Sequence, residues 1–368
     1  MPKFNCYFLF IALFIFTGSA YSQTSKFLVV AYYSAGPEQI DSFPIEKLTH
    51  VIFSFSHLKG NQLHVNNARD SATIKKLVGL KSRNPQLKVL LSLGGWGGCG
   101  PCSEVFSSKK NRTAFAKSVY RISNYFGADG IDLDWEYPAI AGFPGHVYQA
   151  ADKENFTSLV TELRKETKKN FEITFAAGGF RKYIDESIDW DKVMKKINFV
   201  NLMTYDLVNG FDTITGNHTP LYSNPPRAES TDNAVSQLIG LGVPANKIVI
   251  GAAFYGRIWE NVADTNFGMH QQGKFKTNVD FKNMISFLAA NSGFVYHWDS
   301  VAQAPFMYNP IQKHFLTFDD KRSIALKTKY AMEKGLGGIM FWELSLDAYK
   351  DGLLDVIDNA KNHSNKIE

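Results

Sequence analysis

Three acidic residues recur at every second position in one apolar segment of the chain. Asp132, Asp134 and Glu136 lie in the run D-G-I-D-L-D-W-E-Y-P, which spans residues 129–138. A β-strand places residues of this spacing on one face, about 6 to 7 Å apart along the strand. Repulsion between like charges and burial both favour the protonated form of a carboxyl group, so at least one member of the row would hold a proton. The segment is therefore a candidate general acid site.

Two interpretations without catalysis fit the same spacing, namely an exposed edge strand with an acidic face and a cation site. The other residues within 130–136 are Gly130, Ile131, Leu133 and Trp135. Residues of this kind are typical of a strand that is buried on both faces, as in a parallel sheet. The composition therefore favours the catalytic interpretation over a solvent-exposed edge.

Eight short runs of apolar and β-branched residues recur along the chain, with helix-like or loop segments between them. Helical periodicity occurs, for example, at 71–81, 111–126, 152–169 and 232–240. Eight β/α units in one chain of this length predict an α/β fold of the (β/α)8 TIM-barrel type, in which the carboxyl ends of the strands carry the chemistry. Glu136 lies at such an end. The predicted strands are 28–33, 50–55, 88–93, 130–136, 171–177, 199–205, 247–254 and 337–342.

The spacing of these runs breaks between the seventh and eighth predicted strands, where about 80 residues intervene. Part of the gap, 258–316, contains short strand-like runs, a helix-like segment at 281–290 and the aromatic run 294–298. A long loop without structure is uncommon inside a compact domain. We therefore expect a small α+β insertion subdomain that forms one wall of the active-site face.

Residues 1–22 have the layout of a secretory signal peptide. Lys3 precedes an apolar run at 7–16, and the small residues Ala20 and Ser22 suit a cleavage site. This run is about ten residues long, and no later run reaches the roughly 18 to 20 residues that span a bilayer. We expect 23–368 to form the catalytic barrel, interrupted by the insertion, and to be secreted into an extracellular or periplasmic space without a membrane partner.

The cysteines are consistent with export. Cys6 lies in the predicted leader, which leaves Cys99 and Cys102. In an oxidising compartment this C-x-x-C pair is expected to close a small structural disulfide. The net charge of +5 is modest and the basic residues are scattered, which argues against nucleic acid as a partner. Aromatic residues make up 14% of the chain, enough to fill a core and also to supply stacking platforms for sugar rings.

Two motifs suggest other chemistry and fail on context, and a metal site is not indicated. Residues 95–100 match G-x-G-x-x-G after a predicted strand, but Pro101 and Cys102 follow where a helix should continue, and no acidic residue lies about 20 positions further on. The C-G-P-C run at 99–102 has the letters of a thioredoxin site, but no Trp precedes its first Cys. The nine histidines show no metal-ligand spacing, so we expect no metal site.

Five motifs together resemble the glycoside hydrolase family 18 chitinases, and the resemblance extends along nearly all of 23–368. The motif D-x-x-D-x-D-x-E starts at Asp129 and ends at Glu136. The others are S-x-G-G at 92–95, M-T-Y-D at 203–206, A-F-Y-G-R at 253–257, where the family has Pro in place of Ala253, and G-G-I-M-F-W at 337–342.

The resemblance implies a chitinase with a retaining, substrate-assisted mechanism. Glu136 would protonate the glycosidic oxygen while the acetamido carbonyl of the substrate attacks the anomeric carbon, an exception to the scheme with two catalytic carboxylates. Asp134 would hold the acetamido N–H, with Asp132 sharing a proton behind it. Tyr205 would bond the acetamido oxygen, and Trp342 would form an apolar floor under the sugar.

The resemblance also implies further residues and partners. Asp129 is out of phase with the other acids and is interpreted as structural. Non-proline cis peptides are implied at Trp342-Glu343, Ser54-Phe55 and Glu136-Tyr137. The partners would be chitin and chitooligosaccharides, bound by a monomer without a cofactor. The remaining substrate-binding candidates are Met203, Asp206, Arg257, Trp96, Gly95, Tyr32 and Phe55.

Two alternatives use a similar barrel. An endo-β-N-acetylglucosaminidase acting on N-glycans has a related acidic strand, but Trp135, Tyr137-Pro138 and the insertion favour a chitinase, since a walled groove suits a linear polymer. A catalytically silent chitin-binding lectin would usually lack the terminal acid, and Glu136 is present.

Overall fold

The computed structural model describes residues 1–3 and 27–364. The predicted leader therefore lies almost entirely outside the described residues. In the described part of the chain the strands are β1 (Leu28–Tyr33), β2 (His50–Lys59), β3 (Gln62–His64), β4 (Lys88–Gly94), β5 (Gly130–Asp134), β6 (Glu172–Gly178), β7 (Phe199–Met203), β8 (Ile248–Ala253), β9 (Tyr255–Glu260), β10 (Lys274–Asp280), β11 (Val295–Asp299), β12 (Ala304–Asn309), β13 (His314–Thr317) and β14 (Gly338–Trp342). The α-helices there are α1 (Ala68–Gly79), α2 (Cys102–Ser107), α3 (Lys109–Phe126), α4 (Asp152–Glu166), α5 (Arg181–Glu186), α6 (Trp190–Met194), α7 (Thr231–Gly240), α8 (Met284–Ala290), α9 (Lys321–Glu333) and α10 (Leu353–Ser364).

Eight of these strands close a parallel barrel. They pair in the order β1-β14-β8-β7-β6-β5-β4-β2, and β2 pairs with β1 to complete the ring. The short strand β3 adds to β2 as an antiparallel hairpin. The predicted (β/α)8 TIM barrel is confirmed.

Alternation along each strand separates two apolar layers. On β5, Ile131 and Leu133 face outward and join the large cluster that packs between strands and helices. Asp132 and Asp134 occupy the opposite face, and the whole strand is buried. An exposed edge strand is thereby excluded for this segment. The barrel interior is filled by a second cluster from the inward faces of the other strands, including Val30, Ile52, Leu90, Val249 and Met340.

Two predicted strands end two residues earlier than expected. β5 ends at Asp134, because its last ladder partner is Gly94 of β4. β7 ends at Met203, whose backbone pairs with Gly178. Glu136 and Tyr205 therefore lie in loops two residues beyond the strand ends, above the barrel rather than within its wall. The three expected non-proline cis peptides are present.

A second, antiparallel sheet of five strands lies between β8 and β14 in the sequence. Its order is β10-β9-β13-β12-β11, and it runs from Tyr255 to Thr317, slightly wider than the predicted 258–316. One face packs on α8 through Met284 and Leu316. The other face packs on the loop after β7 through Trp259 and Val208. None of the helices in the described residues is long and apolar enough to cross a bilayer.

A buried ion pair joins this second sheet to the barrel. Asp319, just after β13, and Lys327 on α9 both have fully buried side chains, with Nζ 2.7 Å from Oδ2. Lys327 also donates to Thr219 Oγ1 at 2.5 Å, and the backbone N–H of Ala253 at the end of β8 donates to Asp319 Oδ2. Burial lowers the pKa of Lys327, and the charge of Asp319 opposes that shift. The pair thus joins the end of β8, the loop after β7 and helix α9, which precedes the last barrel strand β14.

We expect Lys327→Ala to destabilise the fold by about 3 to 5 kcal/mol, because it leaves the charge of Asp319 buried without its partner. Urea unfolding would measure the loss. Lys329→Ala on the same helix is the matched control, since Lys329 makes a solvent-exposed pair with Glu333 and exposed pairs contribute little. Equal, small losses for the two variants would contradict the structural importance of the buried pair.

Candidate active site

Asp132 lies at the centre of the barrel interior and is surrounded by hydrogen-bond donors. Its Oδ2 accepts from the hydroxyls of Tyr32 at 3.0 Å and Ser92 at 2.9 Å. Its Oδ1 accepts from the hydroxyl of Thr174 at 2.6 Å and the amide of Asn201 at 3.2 Å. Burial raises the pKa of Asp132, and these four donors moderate the shift. The donors come from β1, β4, β6 and β7, so this carboxyl group is held by four separate strands.

Asp134 is the next residue on the same face and has a different environment. It is buried, and its Oδ1 has no hydrogen-bond partner among the described residues. Burial raises its pKa well above the ordinary value, and the charges of Glu136 and Asp132 raise it further. Asp134 is therefore a carboxyl group that favours its protonated form and lies between two others.

Glu136 is the outermost member of the row and is only half-buried, so its side chain can be reached from the cleft. Burial raises its pKa to about 7, with a hydrogen bond to Tyr137 opposing the shift and the charge of Asp206 adding to it. A carboxylic acid with a pKa in this range is protonated in a large fraction of molecules near neutral pH and can act as a general acid.

An aromatic pocket lies beside the acidic row. Trp342, at the end of β14, stacks on Phe55 with ring centroids 5.5 Å apart and tilts against Tyr32 at 5.7 Å. A Cβ atom on Gly95 would lie 2.4 Å from the Phe55 ring, so only glycine fits beside it. Tyr32 thus contacts both the Trp342 ring and Asp132. We refer to the space bounded by Trp342, Phe55 and Tyr32 as the Trp342 pocket.

Tyr205 faces the same interior. Its hydroxyl lies 3.9 Å from the sulfur of Met340, and Met203 belongs to the same inner cluster. Burial raises the pKa of Tyr205 well above its ordinary value, as do the charges of nearby groups including Asp134. The phenol therefore remains neutral and can donate a hydrogen bond.

Asp206 carries a charge next to these neutral acids. The Arg257 guanidinium forms a two-pronged ion pair with it, and the Tyr255 hydroxyl donates to it at 2.7 Å. His218 Nδ1 lies 3.5 Å from Asp206 Oδ1. Burial alone would raise the pKa of Asp206, but His218 and Arg257 hold it below its usual range. Sequence analysis did not identify His218. This histidine lies in the loop after β7, and no local sequence pattern indicates that its side chain is buried beside Asp206.

Three exposed aromatic rings line the rim above this pocket. The ring of Trp96 lies 5.7 Å from that of Phe143 and 6.3 Å from that of Phe211. Their side chains are 48%, 41% and 67% exposed, respectively. We refer to these three residues as the aromatic rim. Trp96 was predicted, whereas Phe143 and Phe211 were not, although each follows a strand end in a polar or glycine-rich loop.

Two other sequence expectations are placed away from the acidic row. Asp129 lies at the opposite end of β5, where it pairs with Lys81 at 2.7 Å and accepts from the Val89 N–H, which fits a structural role.

The predicted disulfide between Cys99 and Cys102 is present. Helix α2 begins at Cys102 directly after Pro101, where no helix was expected; proline is compatible with a helix start because its missing N–H is not needed there. In the described residues no cluster of His, Cys, Asp and Glu is arranged to hold a metal ion.

Comparisons with known proteins show what this chain resembles. Chitinase A1 of Niallia circulans is 32% identical over 304 residues, which cover 76% of this chain and 43% of that protein. Chitotriosidase-1 of Mus musculus is 32% identical over 320 residues, covering 82% of this chain and 68% of that protein. The solved structure of a family 18 N-acetylglucosaminidase from Paenibacillus barengoltzii superposes with a TM-score of 0.82 at 35% identity, covering 91% of this chain and all of that one.

The chain thus spans less than half the length of Chitinase A1 but the whole of the solved N-acetylglucosaminidase. The family model described as glycosyl hydrolases family 18 matches residues 28–347, a range that contains every strand of the barrel and the second sheet. With the match extending over most of its length and through the acidic strand, this chain belongs to glycosyl hydrolases family 18.

Proposed function

We propose that the protein is a secreted chitinase that hydrolyses β-1,4-linked N-acetylglucosamine polymers and oligomers with retention of configuration. The observation that supports this most strongly is the graded acidic row. Asp132 and Asp134 are buried with raised pKa values, and Glu136, with a pKa near 7, faces the cleft beside the Trp342 pocket. This arrangement combines a proton donor with a sugar-sized apolar pocket.

In the first step of the proposed mechanism, Glu136 gives its proton to the glycosidic oxygen. The acetamido carbonyl oxygen of the substrate forms a bond to the anomeric carbon as the bond to the leaving sugar breaks. The electron pair of the broken bond remains on the leaving oxygen, which the proton neutralises. The product of this step is an oxazolinium ion, and the enzyme needs no carboxylate nucleophile.

Asp134 and Tyr205 would position the acetamido group for that attack. Asp134 accepts the acetamido N–H and stabilises the positive charge that develops there. Its own proton can pass towards Asp132, where four donors already favour the charged form. Tyr205, kept neutral by burial, donates to the acetamido oxygen. Trp342 supports the apolar face of the distorted ring.

In the second step, water attacks the anomeric carbon from the side that the leaving sugar has vacated. The bond between that carbon and the acetamido oxygen breaks, and its electron pair returns to the acetamido carbonyl group. Glu136, now a carboxylate, accepts a proton from this water and returns to its starting state. Two displacements at one carbon retain the β configuration. The environment that raises the Glu136 pKa therefore serves both steps, since the same group must first lose and then regain a proton near neutral pH.

The alternatives differ in the substrate they require. Beyond the Trp342 pocket, the aromatic rim continues along the cleft, which favours a linear chain of sugars. Incubating the enzyme in parallel with chitohexaose and with a high-mannose glycopeptide distinguishes the possibilities. A chitinase releases short chitooligosaccharides from the first substrate only, an endo-β-N-acetylglucosaminidase cleaves the second, and a lectin binds without cleaving either.

Export is part of the same proposal. The leader-like residues 1–22 and the disulfide support an extracellular or periplasmic location, where chitin is accessible. N-terminal sequencing of the protein recovered outside the cytoplasm should start close to residue 23. Protein found only in the cytoplasm with residues 1–22 intact would refute this part.

Glu136→Gln should lower kcat by a factor of about 10² to 10⁴, because the amide keeps the shape of the side chain but has no proton to transfer. Binding of chitohexaose, measured by titration calorimetry, should be retained. Glu104→Gln on the exposed side of α2 is the matched control and should leave kcat unchanged. Near wild-type turnover by Glu136→Gln would overturn the assignment of the acid.

The first product that forms should be the β-anomer, because the proposed mechanism passes through two displacements. Proton NMR during the first minutes of chitohexaose cleavage would show it before mutarotation. Asp134→Asn should slow the reaction without changing the anomer. The neutral side chain of Asn stabilises the positive charge on the substrate's acetamido group less than a carboxylate does. An initial α-anomer would rule out the substrate-assisted route.

The decrease of kcat/KM at alkaline pH, the alkaline limb of the profile, should follow the deprotonation of Glu136. The acid must be protonated in the free enzyme, so kcat/KM should fall with a midpoint near pH 7. The negative charge of Asp206 raises the Glu136 pKa, so Asp206→Asn should move this limb to lower pH, whatever it does to the maximal rate. A limb that stays in place, or that moves to higher pH, would show that another group controls it.

A further inference from the structure

One ring of the aromatic rim, Trp96, is carried by a segment whose composition favours disorder. Trp96 lies between glycines at 94, 95, 97 and 98, and Gly94, Gly95 and Gly97 have positive φ angles. Such a stretch loses more conformational entropy on ordering than any other composition. A tryptophan held only by its own loop would therefore be a poor platform for a sugar, because every binding event would have to order it.

A buried disulfide restrains this loop at one end. Cys99 and Cys102 are both almost completely buried, and their bridge attaches the glycine-rich stretch to the first residue of α2. At the other end, the N–H of Gly95 donates to the carbonyl of Asp134 at 2.9 Å. The Trp96 loop is thus fixed to the acidic strand on one side and to α2 on the other.

A buried carboxylate then connects α2 to a second loop. Asp152, the first residue of α4, is fully buried, and its Oδ1 accepts from the Ser103 hydroxyl at 2.9 Å. Its Oδ2 accepts from the backbone N–H of Gln149 at 2.9 Å. The Gln149 side chain donates back to the Ser103 carbonyl and hydroxyl at 3.2 and 3.1 Å. Hydrogen bonds to a charged group are directional and comparatively strong, so they fix the separation of the two segments.

The second loop, residues 135–151, carries Phe143. It folds back over the acidic row, where a Cβ atom on Gly142 would lie 2.1 Å from the Glu136 carbonyl. His146 Nε2 bonds the carbonyl of Tyr137 at 2.9 Å. The Phe143 ring then meets Trp96 edge-on, and a Cβ atom on Gly97 would lie 3.2 Å from it. The two loops therefore meet through their exposed rings, and their far ends are joined by the buried contacts of Ser103 on α2 with Asp152 and Gln149.

We infer that Ser103, Asp152 and the Cys99–Cys102 disulfide are positioning elements that hold Trp96 and Phe143 as one rigid aromatic platform for sugar units beyond the Trp342 pocket. This inference rests on the proposed function. None of the three elements touches the sugar. They act by ordering two rings before the substrate arrives, which reduces the entropic cost of binding long chains.

Ser103→Ala tests the contact, with Ser107→Ala as its matched control. Ser107 is on the same short helix, and its hydroxyl bonds only the Glu104 carbonyl at the surface. Ser103→Ala should raise KM for chitohexaose about 3- to 10-fold, the range expected for loosening an aromatic contact, with kcat within about two-fold. KM for chitotriose should change less, because a shorter chain reaches fewer subsites. Ser103→Thr, which keeps the hydroxyl, should restore the KM for chitohexaose.

A double-mutant cycle separates positioning from general destabilisation. In a Trp96→Ala/Phe143→Ala background, Ser103→Ala should cause no further increase in KM, since both rings that it positions are gone. The disulfide-free variant Cys99→Ala/Cys102→Ala should show the same lack of additivity, which provides a second route if Ser103→Ala folds poorly. Additive increases, or equal effects on both oligomers, would mean that these residues only stabilise the fold and would overturn the inference.

The outcome is distinct from a failure of the proposed function. If the unsubstituted enzyme cleaves neither oligomer, the chitinase proposal fails. The dissociation constant of chitohexaose, measured by calorimetry on the same set of variants, then decides the platform question. A Kd that rises in Ser103→Ala but not in Ser107→Ala supports the inference, and a Kd that is the same in both refutes it.

Discussion

The burial of three carboxyl groups, two on the inner face of β5 and one just beyond its end, is the constraint on which the rest of the structure depends. Burial raises the pKa values of Asp132, Asp134 and Glu136 above those of the unfolded chain. The native state therefore binds protons more tightly than the unfolded state. The stabilisation linked to these protons is complete below the ordinary carboxyl pKa and is lost as the pH rises towards the native values, which for Glu136 is about 7. At neutral pH the site thus lowers the stability of the fold, and the surrounding barrel must compensate.

The barrel meets this constraint by distributing the donors. The four hydrogen-bond donors to Asp132 belong to four different strands. Of these strands, only β4 and β6 pair directly with β5. Tyr32 and Asn201 reach the carboxyl group only because the sheet closes on itself. No local segment could reproduce this environment, so the chemistry of Asp132 is a property of the closed barrel. The buried Asp319–Lys327 pair supports the closed barrel at the end of β8, where the chain leaves the barrel to form the second sheet.

This dependence explains what sequence analysis could and could not establish. Alternation of apolar and acidic residues follows from strand geometry, so the barrel, the acidic row and the inward face of Trp342 could be predicted. The ends of β5 and β7 could not be predicted, because a strand ends where its neighbour stops pairing. That depends on residues about 25 to 40 positions away. His218 and Asp152 become functional candidates only through contacts with distant segments. Their local sequence contains nothing that distinguishes them from ordinary loop and helix residues.

The contrast between Asp134 and Asp206 shows how one cleft maintains two carboxyl groups in different states. Asp134 has two acidic neighbours and an oxygen without a partner, so its protonated form is favoured. Asp206 has the Arg257 guanidinium and the Tyr255 hydroxyl, so its charge persists. That persistent charge then helps to keep Glu136 protonated, since a fixed negative neighbour opposes ionisation. The ion pair outside the row therefore has an effect on the row itself. By stabilising the Asp206 carboxylate it raises the fraction of Glu136 that holds a proton at neutral pH and can act as a general acid.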